Sequence, residues 1–131
     1  MGNKDRQEIR LSNLGDPISH YTDAVRFGET VYVSGIAALD SNGKVVGGDD
    51  VVEQCRQVFR NMKTLLDAVG AKPSNILRVT VYLLDVNDRT KINPVRKEFF
   101  GDTRPASTLI GVKNLAMPDM KIEIEAIVGL S

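Results

Sequence analysis

Residues 50–70, Asp-Val-Val-Glu-Gln-Cys-Arg-Gln-Val-Phe-Arg-Asn-Met-Lys-Thr-Leu-Leu-Asp-Ala-Val-Gly, carry the most regular apolar pattern in the chain. Val52, Cys55, Phe59, Met62, Leu66 and Val69 recur at alternating steps of three and four, and Val58 and Leu65 widen the stripe. That spacing predicts an amphipathic helix with one face to bury. Asp50 with Glu53 three residues on resembles a capping box, and Gly70 stands where a helix leaves through a left-handed residue. A helix marked at both ends needs an apolar surface to cover, and the flanking sequence supplies strands.

On the C-terminal side, Ile76 to Leu84 is β-rich. Leu77, Val79, Val81 and Leu83 are expected on one face, with Arg78, Thr80 and Tyr82 on the other. Lys121 to Val128 alternates too: Ile122, Ile124, Ala126 and Val128 oppose Glu123, Glu125 and Ile127. Ser107 to Val112 reads as a short strand. Asp88 to Phe100 reads as a second helix through Ile92, Val95 and Phe99, with a kink or fresh start expected where Asn93 could re-cap the chain before Pro94.

On the N-terminal side, Ala24 to Ile36 splits into two extended runs joined at Gly28-Glu29, a tight hairpin turn. Asp40 to Asp49, rich in Gly, Asn and Asp, is a surface loop. The order is ββαβαββ with a further N-terminal strand, an α+β layer in which one sheet face packs on two helices. The other face must meet solvent or a second subunit.

The whole chain of 131 residues suits one domain. With 17 basic and 17 acidic side chains, bulk electrostatics select neither nucleic acid nor an anionic membrane surface. Met1 to Arg10 lacks the apolar stretch of a secretory signal, and no apolar run reaches spanning length, so a cytoplasmic protein without a membrane partner is expected. One cysteine, Cys55, and one histidine, His20, make no disulfide framework and a poor metal site. Cys55 reads as a small hydrophobe in the helix stripe. No cofactor is expected, because no phosphate loop, nucleophile elbow or dinucleotide fingerprint occurs.

Polar residues at the ends of apolar elements remain: Tyr21, Ser34 with Gly35, Asn93, Ser107 with Thr108, and Glu123 with Glu125. Each alone has an ordinary structural reading. Glu123 and Glu125, roughly 7 Å apart on one strand face, suit a solvated surface; Ser34-Gly35 suits a turn; Asn93 suits a cap.

Taken in order they resemble the reactive-intermediate-deaminase (Rid, or YjgF-type) superfamily along nearly the whole chain. Arg104-Pro-Ala-Ser-Thr-Leu-Ile-Gly-Val112 followed by Met120-Lys-Ile-Glu-Ile-Glu-Ala126 is similar to the family's C-terminal signature. Val33-Ser-Gly-Ile36, Val79-Thr-Val-Tyr-Leu-Leu-Asp85, Asn87-Asp88, Ile92-Asn93 and Glu98-Phe-Phe100 match its earlier parts. The resemblance implies a chorismate-mutase-like single domain, a mixed sheet packed on two helices, assembled as a barrel-cored homotrimer with clefts between subunits. It implies hydrolysis of small enamines or imines to a carbonyl product and ammonia. The cleft residues carried over are Tyr21, Ser34, Gly35 and Asn93, with Glu123 as the glutamate that orients or activates water.

The family's substrate-binding arginine falls on Ser107, and a cysteine two residues later falls on Leu109. Serine cannot offer a planar cation, and a charge-assisted hydrogen bond is about twice as strong as a neutral one. Three readings stay open. The protein is a deaminase whose substrate differs from that of arginine-bearing relatives or meets another cation, such as Arg104 or a neighbouring subunit's arginine. Or it is a non-catalytic trimer holding a small metabolite, with Ser107 and Thr108 as neutral donors. Or it acts on RNA or translation, against which zero net charge and few aromatics speak. Glu123 discriminates the first two: aimed into a cleft it favours catalysis, tied in an ion pair it favours binding.

Overall fold

Ile122, Ile124, Ala126 and Val128 turn inward and Glu123, Glu125 and Ile127 outward along β6 (Ile122–Gly129), the strand around which the sheet is built. The computed structural model describes residues 5–131; the first four residues, on which part of the signal-peptide reading rests, lie outside them. In chain order come β1 (Arg6–Ile9), β2 (Ala24–Phe27), β3 (Thr30–Ala37), α1 (Val51–Ala68), β4 (Ile76–Leu83), α2 (Arg89–Phe100), β5 (Ala106–Gly111) and β6. The sheet runs β1-β2-β3-β6-β4-β5. All neighbours are antiparallel except β4 and β5, which are parallel and joined by α2 as the crossover. The sheet is therefore mixed, with both helices on one face.

The β2–β3 hairpin closes through Gly28-Glu29, with Gly28 at φ 62°. Glycine at the first central position gives a turn whose twist matches that of the flanking strands. Asp50 caps α1 by accepting from the backbone N–H groups of Val52 and Glu53 at 2.9 and 3.4 Å. Glu53 does not complete a capping box: the Asp50 N–H donates to the Gly47 carbonyl instead. Gly70, at φ 72°, takes the chain out of the helix as expected.

The core lies between the helices and the inward side chains of β3, β4 and β6. Cys55, Val58, Met62, Leu65 and Leu66 of α1 meet Val79, Val81, Leu83, Ile122 and Ile124 there. Fully burying a Val, Leu or Ile side chain contributes roughly 1.5–3 kcal/mol. The one buried polar side chain among the described residues is Gln54. Its Nε2 donates to the carbonyls of Gly48 and Asp119, and its Oε1 accepts from the Lys121 N–H, fastening α1 to the start of β6.

Two expectations fail. Leu77 is not inward but 57% exposed, because the pairing of β4 with β6 slips between Ile76 and Arg78. Ile76 takes the buried place, and the bulge restores the alternation from Arg78 onward. α2 does not restart at Asn93: it is continuous from Arg89 through Pro94 to Phe100. Pro94 stands inside the helix, where its missing N–H removes one backbone bond, to Thr90, while Ile92, Val95 and Phe100 stay buried.

Candidate functional site

Ser34 and Gly35 sit at a break in the β3–β6 ladder: Val33 pairs with Ala126 and Ile36 with Ile124, so two residues of β3 oppose Glu125 alone. A bulge of this kind re-aims side chains at the end of a strand. Here it brings the Gly35 backbone against Glu123. A Cβ placed on Gly35 would stand 2.0 Å from Glu123 Oε2. Only glycine leaves room for the carboxylate.

Glu123 lines a pocket with Tyr21, Ser34, Gly35, Ala116 and Met120. Among the described residues no hydrogen bond or ion pair engages its carboxylate, which is half-buried. Burial, and secondarily the neighbouring Glu125, raise its pKa above the ordinary glutamate value. Glu125 differs, because it accepts a hydrogen bond from Tyr82 Oη at 3.1 Å. Burial, that hydrogen bond and the two carboxylates in turn push the Tyr82 phenol up. Glu123 faces a pocket and is not tied in an ion pair.

Ser34 is less available than expected. Its hydroxyl donates to the Thr22 carbonyl at 2.5 Å and its N–H to the Asp23 carbonyl at 3.0 Å. These bonds fix the loop that carries Tyr21, so Ser34 positions the pocket wall and keeps only acceptor capacity for a ligand. Tyr21 is 44% exposed on that wall.

The remaining candidates gather elsewhere. Asn93, Arg104 and Ser107 line a groove between α2 and the loop leading into β5, together with Arg96, Lys97 and Asp102. Arg96 Nη2 donates to Ser107 Oγ at 2.9 Å. Thr108 does not join them: strand alternation sends it to the open sheet face, where its hydroxyl meets Arg78. Leu109 returns to the helix side but packs against the core rather than lining the groove.

The two groups cannot meet within one chain. Ser107 is level with Val79, and Val79 with Ala126, so Ser107 lies two strands and three residues away from Glu123. Strand spacing and rise put their Cα atoms roughly 14 Å apart. Moreover, Glu123 points from the open face and Ser107 from the helix face. One chain therefore holds them as two separate groups.

Sequence reasoning missed Arg96. Its side chain is half-buried, and burial lowers the guanidinium pKa from its ordinary value, a shift opposed by Cys55. The signal was present: Arg96 stands four residues after Ile92 and next to Val95, on the flank of the apolar stripe of α2. A cation there has to lay its stem along the core.

Residues 12–130 match the family described as endoribonuclease L-PSP. A RutC family protein of Pyrococcus horikoshii is 38% identical over 93% of this chain and 96% of its own. The human 2-iminobutanoate/2-iminopropanoate deaminase is 34% identical over 93% of this chain and 88% of its own. Among solved structures, the YjgF gene product of E. coli superposes with a TM-score of 0.86 at 32% identity, covering 95% of this chain and 99% of that one. Sequence and fold agree along the described chain, which therefore belongs to the endoribonuclease L-PSP family, the family of the YjgF and Rid proteins.

Proposed function

We propose that the protein hydrolyses small imines or enamines to a carbonyl compound and ammonia, in clefts that pair the Glu123 half-site of one subunit with the Ser107 half-site of the next. The observation that carries this reading is Glu123: half-buried, facing a pocket and, among the described residues, without a cation against it, beside the one residue type that leaves it room. The raised pKa brings a carboxylate closer to working pH, which suits a general base. Relatives named as imine deaminases at 34–37% identity support the same chemistry.

In the proposed reaction a water oxygen bonds to the imine carbon while Glu123 takes one of its protons. The C=N π pair passes to nitrogen, which receives that proton. The second hydroxyl proton follows the same route as the C–N bond breaks. Both hydrogens of water leave on ammonia and its oxygen remains as the carbonyl, with no redox change. General acid/base catalysis of this kind contributes about 10²- to 10⁴-fold.

A homotrimer is the assembly we favour. The open sheet face carries exposed Phe27, Tyr32 and Ile110, and a closed ring of subunits covers such a face on every copy. The test couples an amino-acid oxidase, generating imines in place, to keto-acid release. The wild-type protein is expected to accelerate release and Glu123→Ala is not. A wild-type protein without effect overturns the reading.

A further inference from the structure

The last rung of the β3–β6 ladder is Ala37 opposite Glu123. It is held unevenly. β2 ends at Ala24, opposite Val33, so beyond the Ser34-Gly35 bulge β3 has β6 on one side and no strand on the other. A strand end with a free edge frays unless its backbone groups find other partners. Here a side chain from α1 supplies them, alongside the Leu39–Val45 bridge. Asn61 Nδ2 donates to the carbonyls of Ala37 and Leu39 at 3.1 and 2.9 Å.

Asn61 is itself braced. Gln57, one helical turn earlier, donates from Nε2 to Asn61 Oδ1 at 3.0 Å, and Arg60 Nη1 donates to Gln57 Oε1 at 3.1 Å. Every donor in this chain points toward β3 and a cation stands at its head, an arrangement in which each bond polarises the next. With Oδ1 occupied by Gln57, both Nδ2 hydrogens serve the two carbonyls and the amide has one orientation.

The bonded carbonyls belong to the wall of the Glu123 pocket. Ala37 and Leu39 line it, and Asn61 lines the adjoining cavity with Tyr21, Ser34 and Gly35. The gap between Gly35 and Glu123 Oε2 admits no Cβ, so a small shift of this rung changes how the carboxylate is held and how much water reaches it. We propose that Asn61, braced by Gln57, is a positioning residue for Glu123: by clamping Ala37 and Leu39 it fixes the last rung of the ladder, and with it the place of the Glu123 carboxylate against Gly35. The catalytic consequence rests on the reading of Glu123 as the base; the clamp itself stands on the hydrogen bonds.

The test uses the full-length protein and Asn61→Leu, which keeps the size of the side chain and removes both donors. Two quantities are measured: kcat and KM for imine hydrolysis, and the titration of the Glu123 carboxyl by carbon NMR, assigned with Glu123→Gln. In the wild type the midpoint is expected above the ordinary glutamate value of about 4.3. Asn61→Leu is expected to move it toward that value, as water reaches a loosened carboxylate. It should also lower kcat roughly tenfold to a hundredfold with KM little changed, the effect of displacing a reacting group. Asn75→Ala is the control for a purely structural amide. Asn75 also fastens backbone, accepting from the Lys72 N–H and donating to the Gly129 carbonyl, but at the far end of β6. Its loss is expected to lower the melting point and leave kcat and the midpoint as they are.

Where Asn61→Leu does not fold, Gln57→Leu, which frees the amide without removing it, carries the test, with a few-fold loss of kcat and a midpoint moved in the same direction. An unmoved midpoint in the folded variant, or the same change in Asn75→Ala, overturns the proposal. A moved midpoint with wild-type kcat leaves the clamp standing and removes Glu123 as the base. A wild type without hydrolysis removes the deaminase reading, and the midpoint alone then decides the clamp.

Discussion

A half-buried carboxylate with no cation against it holds its proton to higher pH in the folded chain than in the unfolded one, because ionising it there forfeits hydration and sets it against Glu125. Between the two pKa values the native state binds more protons, so stability falls as pH rises through that window. Removing the charge removes the loss: Glu123→Gln is expected to melt higher than the wild type at pH 8, the difference vanishing below about pH 4, under the ordinary glutamate value. Thermal melts across pH check this, and a wild type that melts higher at pH 8 contradicts it. If Glu123 is the proposed base, the pH–rate profile is expected to have the opposite sign, activity rising with pH through the same raised pKa. Gly35→Ala tests the contact beside it. Gly35 lies outside the left-handed region, so alanine fits the backbone, but its Cβ meets the Glu123 carboxylate. The flexible carboxylate gives way, leaving the melting point near wild type and reducing turnover by about 10²-fold, the effect of misplacing a reacting group by an ångström or so. Glu123, Ser34 and Gly35 were legible in sequence only because several motifs occur in family order; singly they read as a surface strand and a turn. The place of Arg96 on the flank of the α2 stripe was legible, but its pairing with Ser107 was not, because the two become neighbours only once β5 lies parallel to β4.

Helix α1, the β2–β3 hairpin and β6 could be read directly, since each has a clean period and marked ends. What could not be read were the two places where a strand slips register, at Leu77 and at Ser34-Gly35. An inserted residue leaves composition and local alternation intact, and only the partner strand reveals it. Gln54 was equally hidden. On the apolar side of α1 it breaks the pattern, yet it answers three backbone groups brought from 6, 65 and 67 residues away along the chain. Gln54→Ala strands those groups in the core and opens a void, with an expected loss of about 3 kcal/mol or more, measurable by urea unfolding. The cost should reach the active element as well, because the bonds to Asp119 and Lys121 set where β6 begins, two residues before Glu123. A variant as stable as the wild type would show that the three groups find other partners.

If, as proposed, a working cleft pairs Glu123 of one subunit with Ser107 of the next, function is a property of the assembly. Glu123→Gln subunits and Arg96→Gln subunits, which lose the guanidinium that holds Ser107, are each expected to be impaired alone and carry their defects in different halves. Mixed at equal amounts through unfolding and reassembly, they should recover about a quarter of wild-type activity, the fraction of interfaces in a randomly mixed cyclic trimer that draw both intact halves. No recovery in mixed oligomers, verified by mass, would place both halves of a working site in one chain. Sedimentation of the wild type at micromolar concentration supplies the complementary measurement, a stable monomer being the outcome against a shared cleft. Zero net charge and the open sheet face were visible in the composition and alternation, whereas the separation of Glu123 from Ser107 within one chain was not, since it depends on which face each side chain leaves. The core holds a further consequence. Cys55 is the sole thiol of the chain, it is fully buried, and burial pushes its pKa up to about 12 against the pull of Arg96 and Arg56. Only a thiolate reacts with alkylating reagents, so in the native protein this sulfur is silent. Its rate of labelling becomes a clock for the opening of the molecule, slowing whenever subunit contacts or a bound ligand hold α1 against the sheet.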